Sequence, residues 1–471
     1  MPFILGANSA ADTVHSVSQS IRFNSADDAY MARTPSSAGN RRTWTFSCWL
    51  KRGNITSTMQ LFNAGADDSN NSRFQINSDD VISYVHADSG SVTDQVKTSM
   101  KIRDTAAWYN IQLVADTTHP VDEERLRIFV NGRRITDLSI TDYPTKDFDT
   151  DINNTEAHNI GRLFSDTQHL DGYLAEIVLV DGQALYPSSF GEFNSSGLWI
   201  PKNVSGLTFG TNGFYINGSD ASGTPVKLGD DEAGSNNYTT SGMEANDQRA
   251  DTPTNNQITF NFLNNQRSGG TLSEGNLRYV GPGTRTLIGL TANVPSTGKW
   301  AVAYTVDQVS TTAGWQIGLS FADDDDFGDA AGSNEDLDIV RIQPSSSNAE
   351  VNDRINNSYI SPSPAVPLST SDEFWVVVDM NTGNIFLGIY DASDTTMKFI
   401  AADGGTDGDP ANGTNPTLTA TTTQMPRDNV LFSVCSKQTS QFINLKKSSE
   451  LSGTTPTGFT YFENVKDLIG S

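Results

Sequence analysis

Apolar and polar residues alternate with a period of two along many short stretches of this chain. The clearest is Thr43-Trp44-Thr45-Phe46-Ser47-Cys48-Trp49-Leu50, where Trp44, Phe46, Cys48 and Leu50 fall on one face and Thr45, Ser47 and Trp49 on the other. That period marks a strand with one face in a core. It predicts further strands at 20–23, 73–76, 81–85, 108–114, 158–162 and 170–182. Residues 125–135 read as a hairpin, with Asn131-Gly132 supplying the positive φ angles of a type I′ turn. No segment carries a 3.6-residue period beyond a few turns.

From 194 to 255 the pattern fades. Gly, Asn, Ser, Asp and Thr dominate, interrupted by the apolar islands Trp199-Ile200-Pro201 and Phe214-Tyr215-Ile216. Such a break predicts a connection between domains, here one that packs against a domain instead of hanging free. Alternation then resumes at 257–260, 299–306 and 315–319. The run 374–379 leads through Asn381-Thr382-Gly383 into 385–390 as a second hairpin. The runs 430–435 and 441–445 read as a final strand pair. Residues 1–19 are polar and irregular and predict an N-terminal arm, either an assembly anchor or a capping strand. The absence of heptads, short repeats and a collagen-like glycine period argues against a fibrous shaft.

The expected fold class is therefore all-β, two tandem β-sandwich (jelly-roll) domains. They are placed at 20–193 and 256–471, after the arm 1–19 and joined by the Gly/Asn/Asp-rich segment 194–255. The length of 471 residues supports two domains, because a single core stops growing at roughly 250–300 residues.

Charge narrows the partners. The formal net charge is −25, and such a surface repels phosphate backbones and anionic lipids. Neither nucleic acid nor membrane insertion is expected. No stretch reaches the roughly 20 apolar residues of a membrane span, and the N-terminus shows no signal-peptide pattern. Synthesis in a cytoplasm is expected. The two cysteines, Cys48 and Cys435, lie in alternating runs and read as small core residues.

Candidate chemistry is sparse. Glycosidases with a two-carboxylate mechanism flank the scissile bond with both groups, and the strand pattern Glu-x-Asp-x-x-Glu that would do so is absent. Asp171 and Glu176 are close in sequence, but Asp171-Gly172 reads as a turn and Glu176 as a strand residue. No Gly-x-Ser-x-Gly elbow occurs, and His15, His86, His119, His158 and His169 have no triad context. No catalytic residue and no enzymatic activity are expected. For metal, Asp147, Asp149 and Asp151 imitate the start of an EF-hand loop, although Ile152 stands where the turn glycine belongs and the twelfth position is His158, not Glu. Asp67-Asp68 and the cluster Asp323, Asp324, Asp325, Asp326 and Asp329 are further acidic groups. Solvated loop charge is the favoured account of each, and calcium is the one cofactor left open. Sugar binding needs exposed rings. Trp49, Tyr84, Trp108 and Tyr173 are better read as packing, so no ligand-binding residue is singled out.

The order of the strands also carries a resemblance. Residues 20 to about 192 resemble a concanavalin A-like, laminin-G-type domain, through Ser20-Ile21-Arg22-Phe23, Thr45 to Leu50, Trp108-Tyr109-Asn110-Ile111, Ile128 to Gly132, Asn159-Ile160-Gly161-Arg162 and Asp171 to Ile177. Residues from about 252 onward resemble a SPRY (B30.2-like) domain, through Gly298 to Val302, Gln316 to Leu319, Val377-Val378-Asp379, Thr382 to Phe386 and Pro456 to Phe459. The tandem, joined through Asp251 to Asn256, is similar to proteins of marine tailed phages, especially those of cyanobacteria. That resemblance implies a non-enzymatic virion structural protein: an appendage, tail-fibre-like or capsid-surface adhesin that presents loops to a host surface or another protein. Its implied partners are other virion proteins, further copies of the same chain and a host-surface glycan. Its implied location is the virion surface. The alternatives are a carbohydrate-binding lectin module and, behind it, a polysaccharide depolymerase.

Overall fold

The computed structural model of the protein describes residues 15–265, 270–283, 286–309, 314–322, 337, 339–436 and 438–469. They fall into two compact units, 15–257 and 258–469. Both are built of strands, so the chain is nearly all-β.

The first unit holds β1 (Ser20–Phe23), β2 (Tyr30–Arg33), β3 (Thr43–Arg52), β4 (Met59–Asp67), β5 (Asn70–Ile76), β6 (Val81–Asp88), β7 (Ser91–Lys101), β8 (Tyr109–Asp116) and β9 (Leu126–Val130). It continues with β10 (Arg133–Arg134), β11 (Leu138–Asp142), β12 (Ala157–Ile160), β13 (Gly172–Asp181), β14 (Gly191–Phe193), β15 (Trp199–Pro201), β16 (Phe214–Ile216), β17 (Thr239–Ser241) and β18 (Gln248–Arg249). One sheet runs β10-β9-β8-β3-β13-β1-β18, with β16 added on β13; the other runs β11-β7-β6-β5-β4-β12-β2-β17. The face of β3 carrying Trp44, Phe46, Cys48 and Leu50 does enter the core between them, against Phe62, Phe74, Ile111, Leu113, Leu174 and Leu179. Phe46 and Phe62 stack with ring centroids 4.7 Å apart. The predicted hairpin is present as β9–β10, with Asn131 at φ 48° and Gly132 at φ 74°.

The segment 194–255 packs against a domain as expected, but it is more than a connection between the two. It is woven into the first sandwich: β16 pairs with β13, β17 with β2 and β18 with β1. The first unit accordingly extends to Gln257. The physical reason is that this segment adds short strands through backbone hydrogen bonds, which need no apolar periodicity. Its few anchors, Trp199, Ile200, Val204, Phe214, Ile216, Leu228 and Tyr238, are all buried. Of the arm, residues 1–14 lie outside the described residues. Residues 15–19 lie on the outer face of the first sheet, where Val17 packs with Trp49, Trp108, Tyr173, Ala175 and Trp199.

The second unit holds β19 (Thr271–Ser273), β20 (Arg278–Val280), β21 (Thr286–Gly289), β22 (Lys299–Val306), β23 (Trp315–Phe321), β24 (Val340–Ser345), β25 (Asn348–Asp353) and β26 (Ser358–Ile360). Then follow β27 (Glu373–Asp379), β28 (Asn384–Asp391), β29 (Thr396–Ile400), β30 (Leu418–Thr419), β31 (Val430–Ser436), β32 (Phe442–Leu445) and β33 (Thr460–Tyr461). One sheet runs β19-β20-β32-β22-β27-β28-β29, with β30 on β28 and β33 on β22; the other runs β21-β31-β23-β24-β25-β26. Trp300, Val302, Val376, Val378, Ile385 and Leu387 of the first meet Ile317, Leu319, Ile342, Val351, Phe432 and Val434 of the second. The hairpin β27–β28 forms as expected. The expected final pair does not: β31 pairs with β21 and β23, while β32 pairs with β20 and β22 in the other sheet. Neighbouring strand patterns in sequence cannot tell a hairpin from a crossing between sheets, since both alternate alike.

Candidate functional site

Two places in the fold concentrate polar groups that the sequence alone did not organise. The first is the middle of β13. Between Ala175 and Val178 the register with β3 shifts, and Glu176 takes a left-handed conformation at φ 49°. Here β13 changes neighbours, from β1 at Leu174 to β16 at Ile177. A bulge of this kind turns one side chain out of the alternation. The Glu176 carboxylate is buried and accepts a hydrogen bond from the Tyr215 hydroxyl at 2.8 Å, with His15 Nε2 at 3.3 Å. The hydrogen bond to Glu176 raises the His15 pKa, and burial followed by the Glu176 charge raises that of Tyr215. Asp171 lies elsewhere on the strand, where Ser25 Oγ donates to it at 3.4 Å. Each of the two carboxylates has its own set of partners. Glu176 works as a stitch between the strand β16 and the arm.

The acidic run is likewise engaged within the fold. Asp149 accepts from Arg42 Nε at 2.7 Å, which holds its carboxyl below the usual range, and Asp147 lies 3.9 Å from Arg42. Asp151 accepts from Ser72 Oγ at 3.1 Å, with His86 Nδ1 at 3.3 Å and Arg41 at 3.7 Å. Arg41 and Arg42 therefore neutralise this loop. Among the described residues no group of three His, Cys, Asp or Glu side chains is placed to hold a metal. Asp67 caps its own turn, accepting from the Ser69 and Asn70 amides at 2.8 and 3.0 Å. Asp68 accepts from the Ser165 amide at 3.0 Å. The cluster from Asp323 to Asp329 lies outside the described residues.

Of the other histidines, His158 is buried: its Nε2 accepts from the Asn153 amide at 3.0 Å, and its Nδ1 lies 2.9 Å from the Glu156 carbonyl. That pairing fixes a neutral ring with its proton on Nδ1. Burial drives its pKa down to about 4. His119 sits in an exposed loop beside Val121, and His169 is 3.6 Å from both Asp28 and Asp166. The aromatic candidates are packing groups. Tyr84 is in the main core, and Trp49, Trp108 and Tyr173 are in the outer cluster under Trp199. Trp108 Nε1 donates to Asp251 at 2.9 Å, and the same carboxylate holds buried Lys51 at 2.7 Å.

The second concentration is a cleft of about 510 Å³ in the second unit. One wall is the β25–β26 hairpin at the edge of one sheet, presenting Asp353, Asn356, Ser358 and Ile360. The facing wall comes from the other sheet: residues 401–403 after β29 and residues 415–419 leading into β30. The walls are braced by short local bonds. Asp353 accepts from the Asn356 amide at 3.0 Å and from its side chain at 2.7 Å. Asp403 accepts from the Gly405 amide at 2.9 Å, and Asn415 donates to Asp407 at 2.9 Å. The Ser363 amide donates to the Gly404 carbonyl at 2.8 Å and ties one wall to the other. Ile360, Ala401, Pro416 and Leu418 give the cleft an apolar component; among the described residues, Asp353 and Asp403 are its only charged ones. Such a concave site with a few fixed polar groups matches the general form of small-ligand sites.

None of these cleft residues is among the candidates read from sequence. The usable signal was the run 401–417, dense in Asp, Gly and Asn yet set between two strands of one sheet. A long polar loop inside a compact domain is commonly functional.

Residues 24–188 match the family model described as the Concanavalin A-like lectin/glucanases superfamily, of the laminin-G type. Solved structures similar to the chain include domains LG4-5 of the mouse laminin alpha1 chain, at 9% identity over 96% of this chain and 97% of that one, with a TM-score of 0.28. The native heptameric SAP-like pentraxin from Limulus polyphemus is 16% identical over 37% of this chain and 80% of its own, with a TM-score of 0.28. The PSpry domain of TRIM65 is 11% identical over 41% of this chain and 92% of its own, with a TM-score of 0.27. No curated protein matches the sequence.

Proposed function

We propose that this protein acts by binding and not by catalysis, as a surface-displayed adhesin of a tailed-phage particle that attaches to a host-surface saccharide. The observation that carries the binding reading is the open cleft of about 510 Å³ on the second sandwich, with its polar side chains braced from behind by turn hydrogen bonds. A rigid sheet scaffold that holds stability apart from its loops is the usual basis of such sites. The lectin-superfamily match over 24–188 supports a binding fold for the first unit. The phage setting rests on the resemblance of the tandem to virion proteins and on the −25 net charge, which suits a protein kept away from the packaged nucleic acid. Several copies on one particle would raise avidity for a weakly held sugar.

Antibody labelling of purified particles tests the setting: label on the particle surface is expected, and unlabelled particles would reject it. Incubating pure protein with host polysaccharide tests the mode of action. Retention of the polymer at full length is expected, and chain shortening would replace adhesin by depolymerase. A free lectin module, the second reading, draws on the same cleft; the protein would then bind saccharide while leaving particles unlabelled.

A further inference from the structure

The lining of the cleft selects the class of saccharide. We infer that it takes a neutral or amine-bearing sugar and discriminates against acidic ones; this rests on the binding reading above.

Among the described residues, Asp353 and Asp403 are the only ionisable groups on its walls, and no Lys or Arg lines it. A uronate or sialate carboxylate, or a sugar phosphate, would enter against two negative charges with no counter-charge. Like charges brought together in a partly desolvated site cost binding energy. A hydroxyl or an ammonium, in contrast, can donate to a carboxylate, and such charge-assisted hydrogen bonds are the stronger kind. Asp403 is exposed and already oriented by the Gly405 amide, so its side chain is pre-set for a ligand donor. Asn356 is fixed in the same way by Asp353, and Asn415 by Asp407. Pre-orientation lowers the ordering cost of binding.

The rest of the lining fits a polyol. Ser358 and Thr419 are exposed hydroxyls at opposite walls, and Thr419 Oγ1 donates to Asn384 at 2.8 Å, leaving its oxygen lone pairs as acceptors. The apolar atoms of Ile360, Pro416 and Leu418 offer a surface for the C–H faces of a ring. Among the described residues no aromatic side chain lines the cleft, so they supply none of the stacking that strengthens many sugar sites. Single-site affinity should therefore be in the millimolar range, about 4 kcal/mol of binding free energy.

The test uses the full chain with three probes of matched length: a neutral glucose oligomer, a glucosamine oligomer and a glucuronate-containing oligomer. Saturation-transfer NMR should show contacts to the first two and none to the third. Asp403→Lys should weaken the glucosamine oligomer at least about 10-fold and admit the acidic one, in line with loss of one charge-assisted hydrogen bond. Ser358→Trp should block all three by filling the entrance. Both positions are exposed, so both variants should keep the parent circular dichroism spectrum and melting curve. Preference for the acidic oligomer, or unchanged binding in both variants, overturns the cleft assignment. If the chain still adheres to host cells in that case, the binding reading survives without it. Failure of the unaltered chain to bind any saccharide or host cell removes both.

Discussion

The first unit covers much of the outer surface of its sheets with its own chain; the second covers Trp375 and Val377 in the same way, with Leu451, Phe459 and Tyr461, but also opens a polar cleft where its sheets part. In the first, residues 15–19 and the 185–215 stretch bury Trp49, Tyr173, Val178 and Val180 on the far side of β3 and β13. On the opposite sheet the loop 162–168 covers Gln60 and Asn63, taking a hydrogen bond from each, at 2.7 Å on Gln168 and 2.6 Å on the Arg162 carbonyl. Buried ionic groups lock these layers: Arg52 with Asp80, Lys51 with Asp251, and Arg22 with Asp247. In the second unit, the cleft residues Asn356, Ser358, Asp403, Asn415 and Thr419 are exposed; the side chains of Asn356, Asp403 and Asn415 bond within their own turns and loop, and Thr419 donates to Asn384 on the neighbouring strand. The difference teaches a division of labour. Groups that fix the first unit cannot be changed without a loss of its stability, and groups in the cleft can change with little structural effect.

The sharpest way to break that comparison is at Asp80. It is fully buried, and it holds Arg52 at 3.0 Å, Arg103 at 2.7 Å and the Thr56 amide at 2.7 Å. Asp80→Ala leaves the buried Arg52 guanidinium uncompensated and should cost about 3–5 kcal/mol. In urea unfolding followed by a probe in each unit, only the transition of the first unit should move. An unchanged midpoint there would end the claim that ionic nodes lock it.

Next in size is a pH effect. The His158 pKa falls from 6.5 to about 4 because burial disfavours its charged form. The stabilisation is complete above pH 6.5, where both folded and unfolded rings are neutral. It declines as pH falls toward 4, since the unfolded ring binds a proton first. The loss by pH 4 should be on the order of 3 kcal/mol. His158→Gln should flatten the pH dependence of the first unit over that window; a dependence of the same slope in the variant would point to another group.

A smaller effect is expected at the β9–β10 turn. A Cβ on Gly132 would lie 2.4 Å from the Trp199 ring, at a residue with φ 74°. Gly132→Ala should cost about 2 kcal/mol, combining turn strain with displacement of the tryptophan. A red shift of tryptophan fluorescence should accompany it, and neither change should reach the second unit. Smallest of all, Asp403→Asn and Thr419→Ala should each stay within about 0.5 kcal/mol of the parent, as exposed substitutions commonly do. A loss of several kcal/mol would make the cleft a structural seam and erase the contrast.

How much of this could be read beforehand depended on the type of residue. Trp44, Phe46, Cys48 and Leu50 announced their strand and its inner face, because burial on one side of a pleat leaves a period of two. Asn131-Gly132 announced its turn, since few other pairs tolerate positive φ twice. The strands β16 to β18 left no such trace, because backbone pairing asks little of side chains. Glu176 looked like one more strand residue, and its role came from a bulge created where β1 gives way to β16. The acidic run Asp147 to Asp151 resembled a cation loop in one dimension. In three dimensions Arg41 and Arg42, more than 100 residues earlier, face it.

The sequence by itself determined that the chain makes two strand-built cores, because alternation of side chains is a local property that needs no knowledge of the partner. It also set the acidic character of the surface and the positions of the tightest turns. Only the tertiary structure decided which strands share a sheet, which outer faces the chain covers for itself, and that Asp353 and Asp403 come to face one cleft. Those outcomes depend on contacts between segments far apart in sequence, whose pairing is selected by the packing of the whole unit and is written in no single stretch of it.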